Sequence, residues 1–254
     1  MKLKLNIRKE VKVVAALIGV SFLIAFSERK QGGAICNNIQ VELENSHDNY
    51  FLDEAEIVRQ VETSGQSIKG INLERINLKQ IETKLKTDKH ILDAELYGDL
   101  KGNLIVSVEL RRPIARIVQQ DAPDAYIAED GTIMSVSENY TSRVVLVSGS
   151  FVKPLLEDED LKKSEEGTKL LKMIEFIHDT EFWNAQIAQL DIDRAGKIIM
   201  YPQITGQLIE FGTPDNIEIK FKKLMIFYKE ILPTRGWTKY DKVNVEYEGQ
   251  IIAK

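Results

Sequence analysis

The sequence predicts an α+β chain in three parts: a single N-terminal transmembrane helix, a small β-α-α-β-β domain, and a mixed β domain with long helices. Three observations point there. An uncharged apolar run, 13–26, sits between charged flanks. Between 39 and 110, apolar periodicity follows the order strand, helix, helix, strand, strand. Beyond Pro113, short β-rich runs dominate, interrupted by amphipathic helices.

The first element is the tail, 1–12, where Lys2, Lys4, Arg8, Lys9 and Lys12 stand against one acid, Glu10. Positive charge before one apolar segment keeps the N-terminus in the cytoplasm and carries the remainder across the membrane. The span is assigned to 13–28 and a linker to 29–38. Its 14-residue apolar run, 13–26, rises about 21 Å, short of the roughly 30 Å hydrocarbon core. Snorkelling Lys12 and Arg29 narrow that gap. A cleaved signal is the alternative. Gly32, Gly33 and Ala34 offer small residues for it, but the charged Glu28, Arg29 and Lys30 suit a cleavage region poorly. Cys36 does not read as a lipidated residue, because Ile35 stands where a small residue is needed. It reads as an inert linker thiol, with an intermolecular bridge as the alternative.

The second element is the small domain, 39–112. Ile39, Val41 and Leu43 alternate with polar residues, as in a half-buried strand. Asp53 is placed to cap a helix over 54–63 that carries Ile57 and Val61 on one face. A second helix is expected over 73–86 with Ile76, Ile81 and Leu85 inward. Strands over 91–97 and 104–110 follow, and two helices then cover a three-stranded sheet. Arg111, Arg112 and Pro113 mark a break, since proline resists a central strand.

The third element, 113–254, reads as strands over 114–118, 125–128, 133–136 and 143–147. A helix over 161–178, a meander over 187–192, 197–201 and 207–211, and a helix over 217–232 follow. The closing strands are 242–247 and 251–254. The helix over 217–232 places Phe221, Leu224, Met225, Tyr228 and Leu232 in one stripe.

Composition narrows function. The net charge is −5 although the first twelve residues are basic, so the exported part is acidic and unsuited to nucleic acid. One cysteine excludes an internal disulfide. His47, His90 and His178 are dispersed and lack metal-ligand spacing, and no phosphate loop, dinucleotide fingerprint or nucleophile elbow occurs. No catalytic residue, metal or cofactor is expected. The aromatic pairs at Phe182–Trp183 and Gly236–Trp237 read as core, with carbohydrate stacking as the alternative.

The layout resembles the FtsQ/DivIB family of bacterial division proteins: a cytoplasmic tail, one span, a POTRA domain and a β domain. The most specific match is Glu109-Leu110-Arg111-Arg112-Pro113-Ile114-Ala115-Arg116, similar to the family's E-R-x-P-x-A junction. Ala128-Glu129-Asp130-Gly131 resembles the D-x-x-G hairpin, with Ala128 in place of its first Asp. Residues 144–149 resemble a strand ending in Gly149. Val243-Asn244-Val245-Glu246-Tyr247 resembles the closing I/V-D-L-R-Y strand, with Asn244 and Glu246 replacing Asp and Arg.

The resemblance implies a non-enzymatic divisome scaffold at the septum. It would be single-pass in the cytoplasmic membrane, with its C-terminal domains extracytoplasmic or periplasmic. FtsB-like and FtsL-like proteins would be its partners, and together they would control the septal peptidoglycan synthase. It also implies strand addition at the C-terminal edge, placing the contact at Tyr247, Glu248, Gly249, Gln250, Ile251 and Ile252. Arg112, Pro113, Ala115 and Arg116 would form the domain junction. The competing readings are another POTRA-bearing envelope assembly or secretion factor, and a secreted cell-wall enzyme with a cleaved signal. The helices at 161–178 and 217–232 speak against the first. A convergent acid–base pair in a cleft would speak for the second.

Overall fold

The computed structural model describes residues 35–254, except 45–48, 65–67, 121, 138–139 and 205, together with 14 and 16–21. Residues 14 and 16–21 are helical and exposed, and the rest of the expected span lies outside the described residues. Among the described residues, no helix is long and apolar enough to cross a membrane. The described chain beyond residue 34 divides into two compact units. One contains 35–44 and Leu52–Glu109, the other 49–51 and Leu110–Lys254.

In the first unit, β1 (Asn38–Glu44) leads to α1 (Glu54–Glu62) and α2 (Leu78–Leu85), then to the hairpin β2 (Ile91–Gly98) and β3 (Asn103–Leu110). The sheet order is β1-β3-β2, with β1 parallel to β3. The central strand β3 is apolar on both faces, burying Leu104, Ile105, Val106 and Val108. Asp53 starts α1 through a capping box, accepting from Glu56 N–H at 2.7 Å while Glu56 reaches back to the Asp53 N–H. The second expected helix is broken. A 3₁₀ turn at Leu73–Arg75 is capped by Asn72, Ile76 is extended, and Asn77 caps α2 anew. Two asparagines five residues apart each cap a turn by hydrogen-bonding the backbone, so the run restarts rather than continues. Cys36, expected in the linker, is buried, and its N–H donates to Ile71 O. Burial pushes its thiol pKa up, which makes it a poor nucleophile.

The second unit is one nine-stranded mixed sheet, ordered β12-β11-β10-β9-β8-β7-β4-β5-β6. Its strands are β4 (Pro113–Ile117), β5 (Ala125–Ala128), β6 (Ile133–Ser135), β7 (Val145–Ser148), β8 (Ile187–Ile192), β9 (Ile198–Pro202), β10 (Leu208–Gly212), β11 (Lys242–Asn244) and β12 (Ile252–Ala253). Three pairings are parallel, β4–β7, β7–β8 and β10–β11. Parallel neighbours need crossovers. Between β7 and β8 the crossover is α3 (Val152–Asp158), α4 (Glu165–Asp179) and α5 (Glu181–Gln186). Between β10 and β11 it is α6 (Ile217–Ile226), which continues through a π-helical turn, Phe227–Ile231, into α7 (Leu232–Arg235).

The break expected at Arg111, Arg112 and Pro113 falls between the two sheets, after β3 ends at Leu110 and before the strand opened by Pro113. Pro113 is the first residue of β4, next to a register shift against β5, where a missing N–H costs no ladder bond. The expected helix over 161–178 begins later. Asp160 caps a 3₁₀ turn at Leu161–Lys163, and Ser164 caps α4 by accepting from Gly167 N–H at 3.1 Å. Gly167 allows this tight join, since a Cβ there would sit 2.2 Å from Leu161 O. The π turn buries the adjacent Phe227 and Tyr228 together, so the apolar stripe is wider than a 3.6-residue repeat gives. The closing strand expected over 242–247 is three residues long, and Tyr247, Glu248 and Gly249 form a turn.

The core under α6 is aromatic. Phe221 stacks on Phe176 at 4.8 Å between ring centroids and meets Trp183 at 4.9 Å and Phe211 at 5.1 Å. Phe221→Ala is expected to cost about 3–5 kcal/mol in reversible unfolding. A loss near zero would mean the cluster does not hold α6 to the sheet. In the first unit, burial alone would favour protonation of Asp88. Hydrogen bonds from His90 and Gln60 outweigh this and hold its carboxyl at about 2. Its pKa is depressed, so its contribution is complete above about pH 4 and fades as pH falls toward 2. Asp88→Asn is therefore expected to cost about 1–2 kcal/mol at pH 7 and close to nothing at pH 2, read from urea midpoints against pH.

Candidate partner-binding edge

The C-terminal edge is assembled from three segments. Strand β10 sets the register of β11, with Leu208, Ile209 and Glu210 opposite Lys242, Val243 and Asn244. Val243 and Val245 point into the core and are fully buried. Strand β12 then folds back antiparallel, with Ala253 opposite Val243 and Ile252 opposite Asn244. Lys254 and Lys242 exchange both backbone bonds, Lys254 N–H to Lys242 O at 3.0 Å and the reverse at 3.1 Å. In an antiparallel ladder, inward and outward residues alternate. Lys254 and Ile252 therefore turn their backbone groups toward β11, and Ala253 turns its N–H and C=O outward. Since β12 is last in the sheet order, Ala253 faces an open edge among the described residues.

The opposite edge differs. There β6 is flanked by the α3–α4 connection, with Ile133 N–H donating to Glu159 O at 3.0 Å and Thr132 bridging Asp160. One end of this sheet is thus blunted by its own chain.

Polar side chains brace β11 on the sheet face that carries Glu210. Asn244 donates to Glu210 at 2.9 Å and also accepts from the Glu246 N–H at 2.9 Å. That donation, with Lys242 3.5 Å from Glu210, lowers the Glu210 pKa. Lys197 pairs with Glu246 at 2.8 Å, which raises the lysine pKa. Gly212 makes room for Glu246, because its φ is +73° and a Cβ would lie 2.7 Å from Glu246 Cγ. The departures Asn244 and Glu246 from the family strand are thus partners of Glu210 and Lys197.

Of the residues assigned to partner contact, Tyr247 is 52 % exposed at the bend. Glu248 and Gly249 occupy the turn, with Gly249 at φ +69°. Gln250 is exposed, and Ile251 and Ile252 are half-buried. The six are contiguous around the return to β12, but the outward backbone belongs to Ala253, which the assignment omitted. Lys223 was also missed. Its ammonium donates to Val245 O, to Tyr247 O at 2.6 Å and to Gln250 O at 3.5 Å. Burial lowers its pKa. No sequence signal marked it: Lys223 is one of three lysines, with Lys220 and Lys222, on α6, and its partners lie on a loop more than twenty residues later.

The junction residues have structural contacts. Arg116 grips Asp124 through Nε at 3.0 Å and Nη2 at 2.6 Å, and its guanidinium lies 5.6 Å from the Tyr126 ring centroid. Ala115 and Pro113 are buried in β4, and Arg112 is exposed while its carbonyl accepts from Glu129 N–H at 2.9 Å. Arg111 Nε donates to Asp130 at 2.8 Å, which ties the junction to the hairpin before Gly131. Of the histidines, His90 donates to and orients Asp88, His178 lies on α4, and His47 lies outside the described residues. No group of three or more His, Cys, Asp or Glu suited to a metal occurs among the described residues. Trp183 is buried core, whereas Trp237 is half exposed.

Two family models match the chain. One, for a POTRA-like domain, covers residues 34–109, and the other, described as FtsQ/DivIB, C-terminal related, covers 112–254. No curated protein matches the chain. With more than half of its length matched by the second model, and a POTRA-like domain before it, the chain belongs to the FtsQ/DivIB family.

Proposed function

We propose that the chain is a membrane-anchored cell-division scaffold without catalytic activity. It captures an extended segment of an FtsB-like partner at the β12 edge. With an FtsL-like partner, the assembly helps control septal peptidoglycan synthesis. Membership of a family of division scaffolds supports the division role and the septal location. The basic tail and the apolar run 13–26 support a retained single span, N-terminus in the cytoplasm.

The observation that carries the reading is the orientation of Ala253. Its outward N–H and C=O can pair with an added strand, the recognition mode in which backbone bonds supply affinity and flanking side chains supply selectivity. Tyr247, large and exposed beside that edge, is suited to anchor the incoming segment.

Proline scanning with partner capture from detergent-solubilised membranes tests this. Ala253→Pro removes an outward donor, so capture is expected to fall by more than tenfold with the fold retained by circular dichroism. Ile252→Pro instead removes a donor to β11 and should loosen the edge itself. Tyr247→Ala should weaken capture by about 2 kcal/mol. Full capture by Ala253→Pro would place the partner elsewhere. The anchor has its own test: polar replacement of Leu17, Ile18, Phe22 and Leu23 should release the protein or block its export. A mature chain beginning near Ile35 would show cleavage instead.

A further inference from the structure

A two-residue strand cannot fix its own register. β12 is held to β11 by the Lys242–Lys254 exchange, by Asp241 N–H donating to Lys254 O at 2.7 Å, and by the pairs Val243–Ala253 and Asn244–Ile252. A slip of one residue would exchange inward for outward backbone and present Ile252 instead of Ala253 at the edge. The path between the strands must therefore be set by the connection 245–251.

That connection converges on one side chain. Beyond Val245, whose N–H still donates to Glu210 O at 3.1 Å, the chain leaves the ladder and bends at Tyr247. The carbonyls of Val245, Tyr247 and Gln250 all turn to Lys223 Nζ. An ammonium carries three N–H donors on one nitrogen, so three carbonyls from a curved backbone can share it. Val245 is fully buried, so its carbonyl needs such a partner. Lys223 itself is fixed by its place on α6 between Phe221 and Leu224, both buried in the aromatic core.

We propose that Lys223 is the positioning residue of the partner-binding edge: its ammonium gathers the three carbonyls, fixes the path from β11 to β12, and thereby decides that Ala253 faces outward. The consequence for capture rests on the function proposed above, whereas the consequence for the edge does not. Arginine is not an equivalent, because a planar guanidinium spreads its donors in a fork rather than around a point.

The test compares wild type with Lys223→Met, which keeps an unbranched stem and removes the charge. Residue-resolved amide exchange and partner capture are both read. Exchange at the inward amides of Ile252 and Lys254 is expected to accelerate at least tenfold, while amides of β8, β9 and β10 stay within twofold. Capture is expected to fall at least tenfold. Lys223→Arg should lie nearer to Met than to wild type in both readings, and it carries the same comparison if the Met variant does not fold. Unchanged exchange at Ile252 and Lys254 would overturn the role of Lys223. A loosened edge with undiminished capture would uphold that role and overturn the docking site instead.

Discussion

The parallel pairing of β11 with β10 is the constraint on which the C-terminal half of the sheet depends. Only three residue pairs make it. They are brought together by the α6 crossover, whose hold on the sheet is the contact of Phe221 with Phe176, Trp183 and Phe211. Aromatic pairs at these separations add to the large apolar area such rings bury. Once β11 is seated, Val243 and Val245 enter the core, and the turn after Tyr247 returns the chain as β12. The β12 edge is therefore the last consequence of a core built far from it in sequence.

The two ends of the nine-stranded sheet are treated differently. At β6 the chain supplies its own cover, with Glu159 accepting from Ile133. At β12 the described chain leaves the outward backbone of Ala253 facing away from β11. An open edge invites association, and natural proteins usually blunt it. A short edge strand, followed by Lys254 with Lys242 opposite it on β11, limits indiscriminate pairing while leaving room for one matched segment. The brace of Glu210, Asn244, Glu246 and Lys197 lies beside this edge and keeps β11 in place without covering β12.

Much of this was legible in the sequence. Period-2 alternation located the strands of the first unit, and Asp53 announced α1 through its cap. The stripe on 217–232 correctly selected Phe221, Leu224, Tyr228 and Leu232. What escaped had local causes. Asn72 and Asn77 each start a turn, so a run read as one helix is two. The π turn at Phe227–Ile231 widens the buried face beyond any 3.6-residue pattern. The break at Arg111 to Pro113 was read correctly, but that Pro113 itself opens β4, one residue before the expected strand, was not, because a proline at the first position of a strand needs no donor. The parallel pairings, β10 with β11 above all, arise from crossovers over helices, and periodicity carries no information on which strands meet. At the candidate edge, Tyr247 to Ile252 were named through the resemblance, whereas Ala253 and Lys223 were not named. One depends on ladder phase and the other on a helix meeting a loop about 25 residues later, and both exist only in the folded register.

The central claim is that a partner strand pairs with the outward backbone of β12. Residue-resolved amide exchange of the full chain, with and without the captured FtsB-like segment, tests it most directly. Binding is predicted to slow exchange sharply at Ala253, the outward amide, and to leave Ile252, already directed at β11, little changed. Protection that spares Ala253 and appears elsewhere in the sheet or in the first unit would contradict the account.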